Sequence, residues 1–134
     1  MTSKPRESEF YEPLRIGALA DGWLVFRISD GSFGKKPADI VGCAIDGVGT
    51  LIEVKVVSKF PEADNDFPWT LFSAHQVIWL NSYSKQGAYA LTPLFNWRTD
   101  EMRVYLITER PPYTYALLTQ MKGGSWVGWN RLLK

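Results

Sequence analysis

The sequence predicts a mixed α/β domain, a β-sheet with helices packed on it. Three observations carry this. Runs rich in β-branched and aromatic residues are separated by Asp-Gly turn signals, two segments have helical apolar spacing, and the 134 residues, 46% of them apolar, suffice for one core without staples. The expected organisation is a single domain over residues 1–134 with about the first six residues frayed.

The elements follow in order. Residues 7–20 read as a first helix, because Phe10, Leu14, Ile16 and Leu19 roughly keep its period, Ser8 can cap it and Asp21-Gly22 ends it. Pro13 requires that this helix start near Glu12 or kink there. Residues 23–28, 39–45 and 50–57 read as three strands divided by Asp30-Gly31 and Asp46-Gly47. In the third, alternation puts Leu51, Glu53 and Lys55 on one face and Ile52, Val54 and Val56 on the other. Ser73 can cap a second helix running to about Lys85, closed by Gly87. Residues 88–95 and 102–108 are two further strands, while 113–121 and 126–133 fit either helix or strand. The order is α-β-β-β-α-β-β.

Charge and composition limit the function. Fifteen Lys and Arg against 14 Asp and Glu leave almost no net charge, so affinity for nucleic acid must come from local patches. One cysteine, Cys43, reads as a small buried hydrophobe and suits a reducing compartment. The polar first ten residues hold no apolar signal region, and no stretch approaches the roughly 18 apolar residues of a membrane span. The expectation is a cytoplasmic protein with no membrane partner. With one histidine, His75, a zinc site is not expected.

Chemistry concentrates at Pro37-Ala38-Asp39 and, after thirteen intervening residues, Glu53-Val54-Lys55. Ionised groups in a strand of Leu, Ile and Val are costly unless they reach solvent, pair or bind a metal. A bare Glu-x-Lys is most often an ordinary cross-strand ion pair. Here a carboxylate opens the preceding strand, the Asp46-Gly47 hairpin can bring it beside Glu53, and Lys55 shares that face. Two carboxylates suit Mg²⁺, which prefers oxygen ligands and takes few from protein, and the lysine supplies positive charge beside a reacting phosphate.

These residues resemble the PD-(D/E)xK nuclease superfamily, with one residue inserted between Pro37 and Asp39, and within it the RecU-type and archaeal Holliday junction resolvases and related phage nucleases. The similar stretch runs from Arg27-Ile28-Ser29-Asp30-Gly31 through residues 38–42 and 52–55 to Phe67-Pro68, His75-Gln76 and Gln86-Gly87, roughly half the chain. The resemblance implies a restriction-endonuclease-like core and a metal-dependent DNA endonuclease. Asp39, Glu53 and the backbone carbonyl of Val54 would bind Mg²⁺, with Mn²⁺ as a substitute, and Lys55 would orient or activate the attacking water. It implies a helper role for Gln76, whose alternative is a helix-surface residue, and an acidic residue on the first helix. Glu9 is the preferred match, with Glu7 and Glu12 open. The resemblance further implies a branched or four-way DNA substrate and a homodimer, acting in host cytoplasm if phage-encoded. A non-catalytic recombination or repair module and a general nuclease are the alternatives.

Residues 27–36, just before Asp39, offer cations, hydroxyls and backbone amides for phosphates. Arg27, Ser29, Ser32, Lys35 and Lys36 are the candidate DNA contacts, against the reading of a merely polar hairpin.

Overall fold

In a computed structural model, residues 3–28, 38–63 and 66–133 are described. A 3-10 turn, Glu7–Phe10, leads into α1, Tyr11–Ala20. Pro13 falls in the first turn of α1, where its missing N–H has no intrahelical acceptor to lose, so the helix starts at Tyr11 without a kink. Ser8 lies inside the turn rather than capping it. The strands β1 (Leu24–Arg27), β2 (Ile40–Cys43), β3 (Gly49–Ile52) and β4 (Lys55–Val57) follow, then α2 (Ala74–Lys85). After it come β5 (Tyr89–Asn96), β6 (Glu101–Ile107), β7 (Tyr115–Gln120) and β8 (Trp126–Val127), and a closing 3-10 turn, Trp129–Leu133.

The two ambiguous tail segments thus add two strands to the expected order. The sheet runs β1-β2-β3-β5-β6-β7-β8, with β4 also on β5. β3 and β4 run parallel to β5 and the other pairings are antiparallel.

Alternation sorts the core onto two faces. Leu14 and Ala18 of α1 join Ile40, Ile52, Val54 and Leu91 in one apolar cluster. Leu80 of α2 joins Leu51, Ala90, Leu94 and Tyr105 in the other. α1 sits so close to the sheet that a Cβ on Gly17 would lie 1.6 Å from the Trp126 carbonyl oxygen, so only glycine fits there. Ser73 caps α2 as expected, its Oγ accepting the Gln76 N–H at 3.1 Å. Cys43 is half-buried rather than enclosed.

The predicted strand 50–57 breaks at Glu53-Val54. The cause lies across the sheet. β3 and β4 keep one register on β5, Ile52 with Leu91 and Lys55 with Leu94, which sets Glu53 beside Thr92 and Val54 beside Pro93. The Glu53 N–H donates to the Leu91 carbonyl at 3.0 Å, and the next bond of a parallel ladder would run from residue 93 to the Glu53 carbonyl. Proline has no N–H to give. The ladder therefore lapses at the residues that carry charge, although the alternation of faces survives the gap.

Candidate active site

The β2–β3 hairpin assembles the first pair of carboxyls. Asp46-Gly47 turns the chain, with Gly47 at φ +84°, the Ala44 N–H on the Val48 carbonyl at 2.9 Å and the Val48 N–H on Asp46 Oδ1 at 3.0 Å. Its register pairs Ile40 with Ile52, so the next position outward sets Asp39 across from Glu53. Asp39 keeps the strand geometry, its N–H bonding the Ile52 carbonyl at 3.1 Å, and its Oδ2 accepts the Val54 N–H at 3.1 Å. A side chain here takes the donor freed at the strand break.

Asp39, Glu53 and Lys55 are all buried, at 3%, 2% and 6% exposure, in a sheet whose buried side chains are mostly apolar. Lys55 Nζ lies 3.9 Å from Glu53 Oε2 and 3.6 Å from Glu7 Oε2, with its charge 5.2 Å from the centre of the Phe72 ring. Gln76 works at both ends of its amide. Its oxygen accepts the Ser73 N–H at 3.0 Å, completing a capping box, and its Nε2 donates to Glu53 Oε2 at 2.9 Å.

Three carboxyls thus crowd one ammonium. Burial, reinforced by the charge of Asp39 and a hydrogen bond with it, pushes Glu53 up to about 9, and Lys55 only partly opposes this. Burial likewise raises Glu7, against the pull of Lys55. Tyr11 hydrogen-bonds Asp39 and is raised by burial and then by that carboxylate. Such a cluster needs more positive charge than the chain provides. Among the described residues no group of three or more His, Cys, Asp and Glu forms a ready metal cage. The donor set on offer is the Asp39–Glu53 pair beside the lapsed ladder, which suits a hard divalent cation that retains water ligands.

The acidic residue brought to the site is Glu7, not Glu9. Glu9 is turned outward, its Oε2 accepting the Arg6 N–H at 2.7 Å in a capping box of the exposed 3-10 turn. Glu12 is held by Arg15 at 2.6 Å and lies 3.7 Å from Arg27. Tyr11 and Phe72 are neighbours of the site that motif reading missed. The four-residue spacing of Glu7 and Tyr11, one helical turn, was a signal for the first. Phe72 carried none.

Arg27 is exposed, with its guanidinium 5.1 Å from the Tyr11 ring centre, which sets it one side chain away from Asp39. Ser29, Ser32, Lys35 and Lys36 lie outside the described residues. A cleft of about 580 Å³ opens beside Glu7 and Tyr11 and is lined also by Lys4 and Arg6, two cations that motif reading did not single out. His75 packs against Trp79 on α2, ring centres 6.1 Å apart.

A mixed sheet with α1 and α2 on opposite faces makes a restriction-endonuclease-like fold. One solved structure it is similar to is that of Archaeoglobus fulgidus Hjc, a Holliday junction resolvase from an archaeal hyperthermophile. The TM-score is 0.52 at 21% identity, over 82% of this chain and 87% of that one. No protein-family model and no curated protein sequence matches the chain.

Proposed function

We propose that this protein is a metal-dependent DNA endonuclease of the junction-resolving kind. The observation that carries the reading is the convergence of buried Asp39, Glu53 and Lys55 on adjoining strands with an excess of negative charge. The fold it shares with a protein described as a Holliday junction resolvase supports the choice of substrate class.

Asp39 and Glu53, with the Val54 carbonyl, would hold Mg²⁺ or Mn²⁺. Bound there, the cation supplies positive charge opposite the charge that builds on phosphate during hydrolysis. The protein's own groups do the rest. Lys55, kept between Glu53 and Glu7, holds the attacking water by hydrogen bonding and adds charge at the phosphate. Gln76 fixes the Glu53 carboxylate from α2. Water adds to phosphorus, one P–O ester bond breaks, and the products are a phosphate monoester and an alcohol. Arg27, Lys4 and Arg6, with Ser29, Ser32, Lys35 and Lys36, would meet flanking phosphates. Because one chain carries a net charge of only +1, a homodimer that doubles the basic surface suits a four-way junction and its paired incisions. A cytoplasmic location accords with this role, and among the described residues no helix is long and apolar enough to cross a membrane.

The test is incubation with four-way, duplex and single-stranded DNA in Mg²⁺ or EDTA. Expected is cutting of the junction in Mg²⁺ alone, reduced at least about a hundredfold in Lys55→Ala and Asp39→Asn with junction binding retained. Undiminished cutting in EDTA or by Lys55→Ala would overturn the mechanism. Tight junction binding without cleavage in any divalent metal would make the protein a non-catalytic module, and equal cutting of all three substrates a general nuclease.

A further inference from the structure

Thr92 stands in β5, fully buried, and its Oγ1 is the one buried side-chain polar atom without a hydrogen-bond partner among the described residues. Its neighbours on the same face of the strand, two residues away on either side, are Ala90 and Leu94, and its partner on β6 is Tyr105, all in the α2-side cluster. A hydroxyl left idle among apolar groups weakens a fold that valine, with the same shape, would not weaken. Folding alone therefore does not account for threonine here.

The register shows what the hydroxyl sits beside. In-register residues of parallel strands share a face: Leu51 and Ala90 both belong to the α2-side cluster, and Ile52 and Leu91 both to the α1-side cluster. Carried one position further, the same alternation puts Thr92 next to Glu53 on the face of Lys55. Gln76 reaches Glu53 from the helix above, and Thr92 adjoins it from within the sheet.

We propose that Thr92 is a positioning residue of this site, its hydroxyl donating to the Glu53 carboxylate, directly or through one water, once Glu53 serves a divalent cation. This rests on the nuclease reading above. A carboxylate that ligates a cation is oriented by the donors on its remaining lone pairs, and loss of such a donor weakens cation affinity or activity about 10- to 100-fold. Gln76 and Thr92 then approach Glu53 from two directions, which defines the plane of the carboxylate.

Thr92→Val and Thr92→Ser, compared with wild type, test the proposal. The measurements are metal-free Tm, the rise in Tm with Ca²⁺, and junction cleavage against Mg²⁺ concentration. Thr92→Val is expected to melt at or above the wild-type Tm without metal, to show a smaller Ca²⁺-induced rise, and to need about tenfold more Mg²⁺ for half-maximal cleavage. Thr92→Ser is expected to restore the Mg²⁺ dependence and the Ca²⁺ response. A Thr92→Val protein with wild-type Mg²⁺ dependence and Ca²⁺ response would overturn the proposal, as would a Thr92→Ser protein as impaired as Thr92→Val. A wild type that cuts no DNA would sink the nuclease reading, and the Ca²⁺ responses would still decide on Thr92: an undiminished response in Thr92→Val overturns the proposal, a diminished one supports it.

Discussion

Asp21, at the end of α1, and Asp39, just before β2, both accept backbone N–H groups from distant parts of the chain, yet their surroundings differ in kind. Asp21 Oδ2 takes the N–H groups of Gly128 and Trp129 at 2.8 and 2.9 Å, and its backbone carbonyl takes Asn130 Nδ2 at 2.9 Å. Asn130 in turn accepts the Trp23 indole N–H at 2.6 Å. The donors come from the backbone and a neutral amide, so this network ties the C-terminal turn to α1 while leaving a single charge to solvate. Asp39 is nearly inaccessible and faces Glu53 and Tyr11, with Glu7 and Lys55 close behind. There several carboxyls share one buried space. One carboxylate closes the fold, and the other is held among further carboxyls.

Substitutions can break or sharpen this contrast. Asp21→Ala should produce the largest change in stability, about 2 kcal/mol by urea unfolding, because it strands two N–H donors, while cleavage measured well below Tm stays at the wild-type rate. A fall in cleavage there would erase the distinction. Gln76→Leu should be next, lowering cleavage about tenfold, or about 1.4 kcal/mol, with Glu53 left less constrained. Unchanged cleavage by Gln76→Leu would reduce Gln76 to a helix cap.

The substitution with the smallest expected effect concerns charge crowding itself. Glu53 is raised from 4.5 to about 9 in the fold, so its contribution to stability is fully present below pH 4.5 and is lost as pH rises toward 9. Metal-free protein should therefore lose stability across that window, and saturating Ca²⁺ or Mg²⁺ should blunt the loss. Asp39→Asn, which removes the facing charge, should flatten the slope and stabilise metal-free protein at pH 8 by about 1 kcal/mol. Denaturant titrations from pH 5 to 9 give both quantities. A wild-type slope preserved in Asp39→Asn would show that the two carboxyls do not interact.

Much of this was legible because it is local. Asp46-Gly47 encodes a tight turn, the turn sets the hairpin register, and the register brings Asp39 opposite Glu53. Ser73 and Gln76 encode a capping box, and the box holds Gln76 where its other amide atom meets Glu53. The acidic residue of the N-terminal segment is not encoded by local spacing. Glu7 and Glu9, two residues apart, lie on opposite sides of a helical turn of either kind, and the docking of the 3-10 turn at residues 7–10 decides that Glu7 points in and Glu9 out. Phe72 beneath Lys55 and the cationic cleft wall from Lys4 and Arg6 depend on how separate segments dock.

By itself the sequence determined the mixed α/β class, the strands and turns as far as β6 apart from the break at Glu53-Val54, and the closeness of Asp39, Glu53 and Lys55, because short-range sterics and alternation act between neighbours along the chain. Tertiary structure alone decided which glutamate joins Lys55, that Pro93 interrupts the strand at Glu53-Val54, and that Thr92 adjoins Glu53 with its hydroxyl unspent. The last two of those facts depend on pairing β5 with residues 39 positions earlier, and no local preference encodes a pairing at that distance.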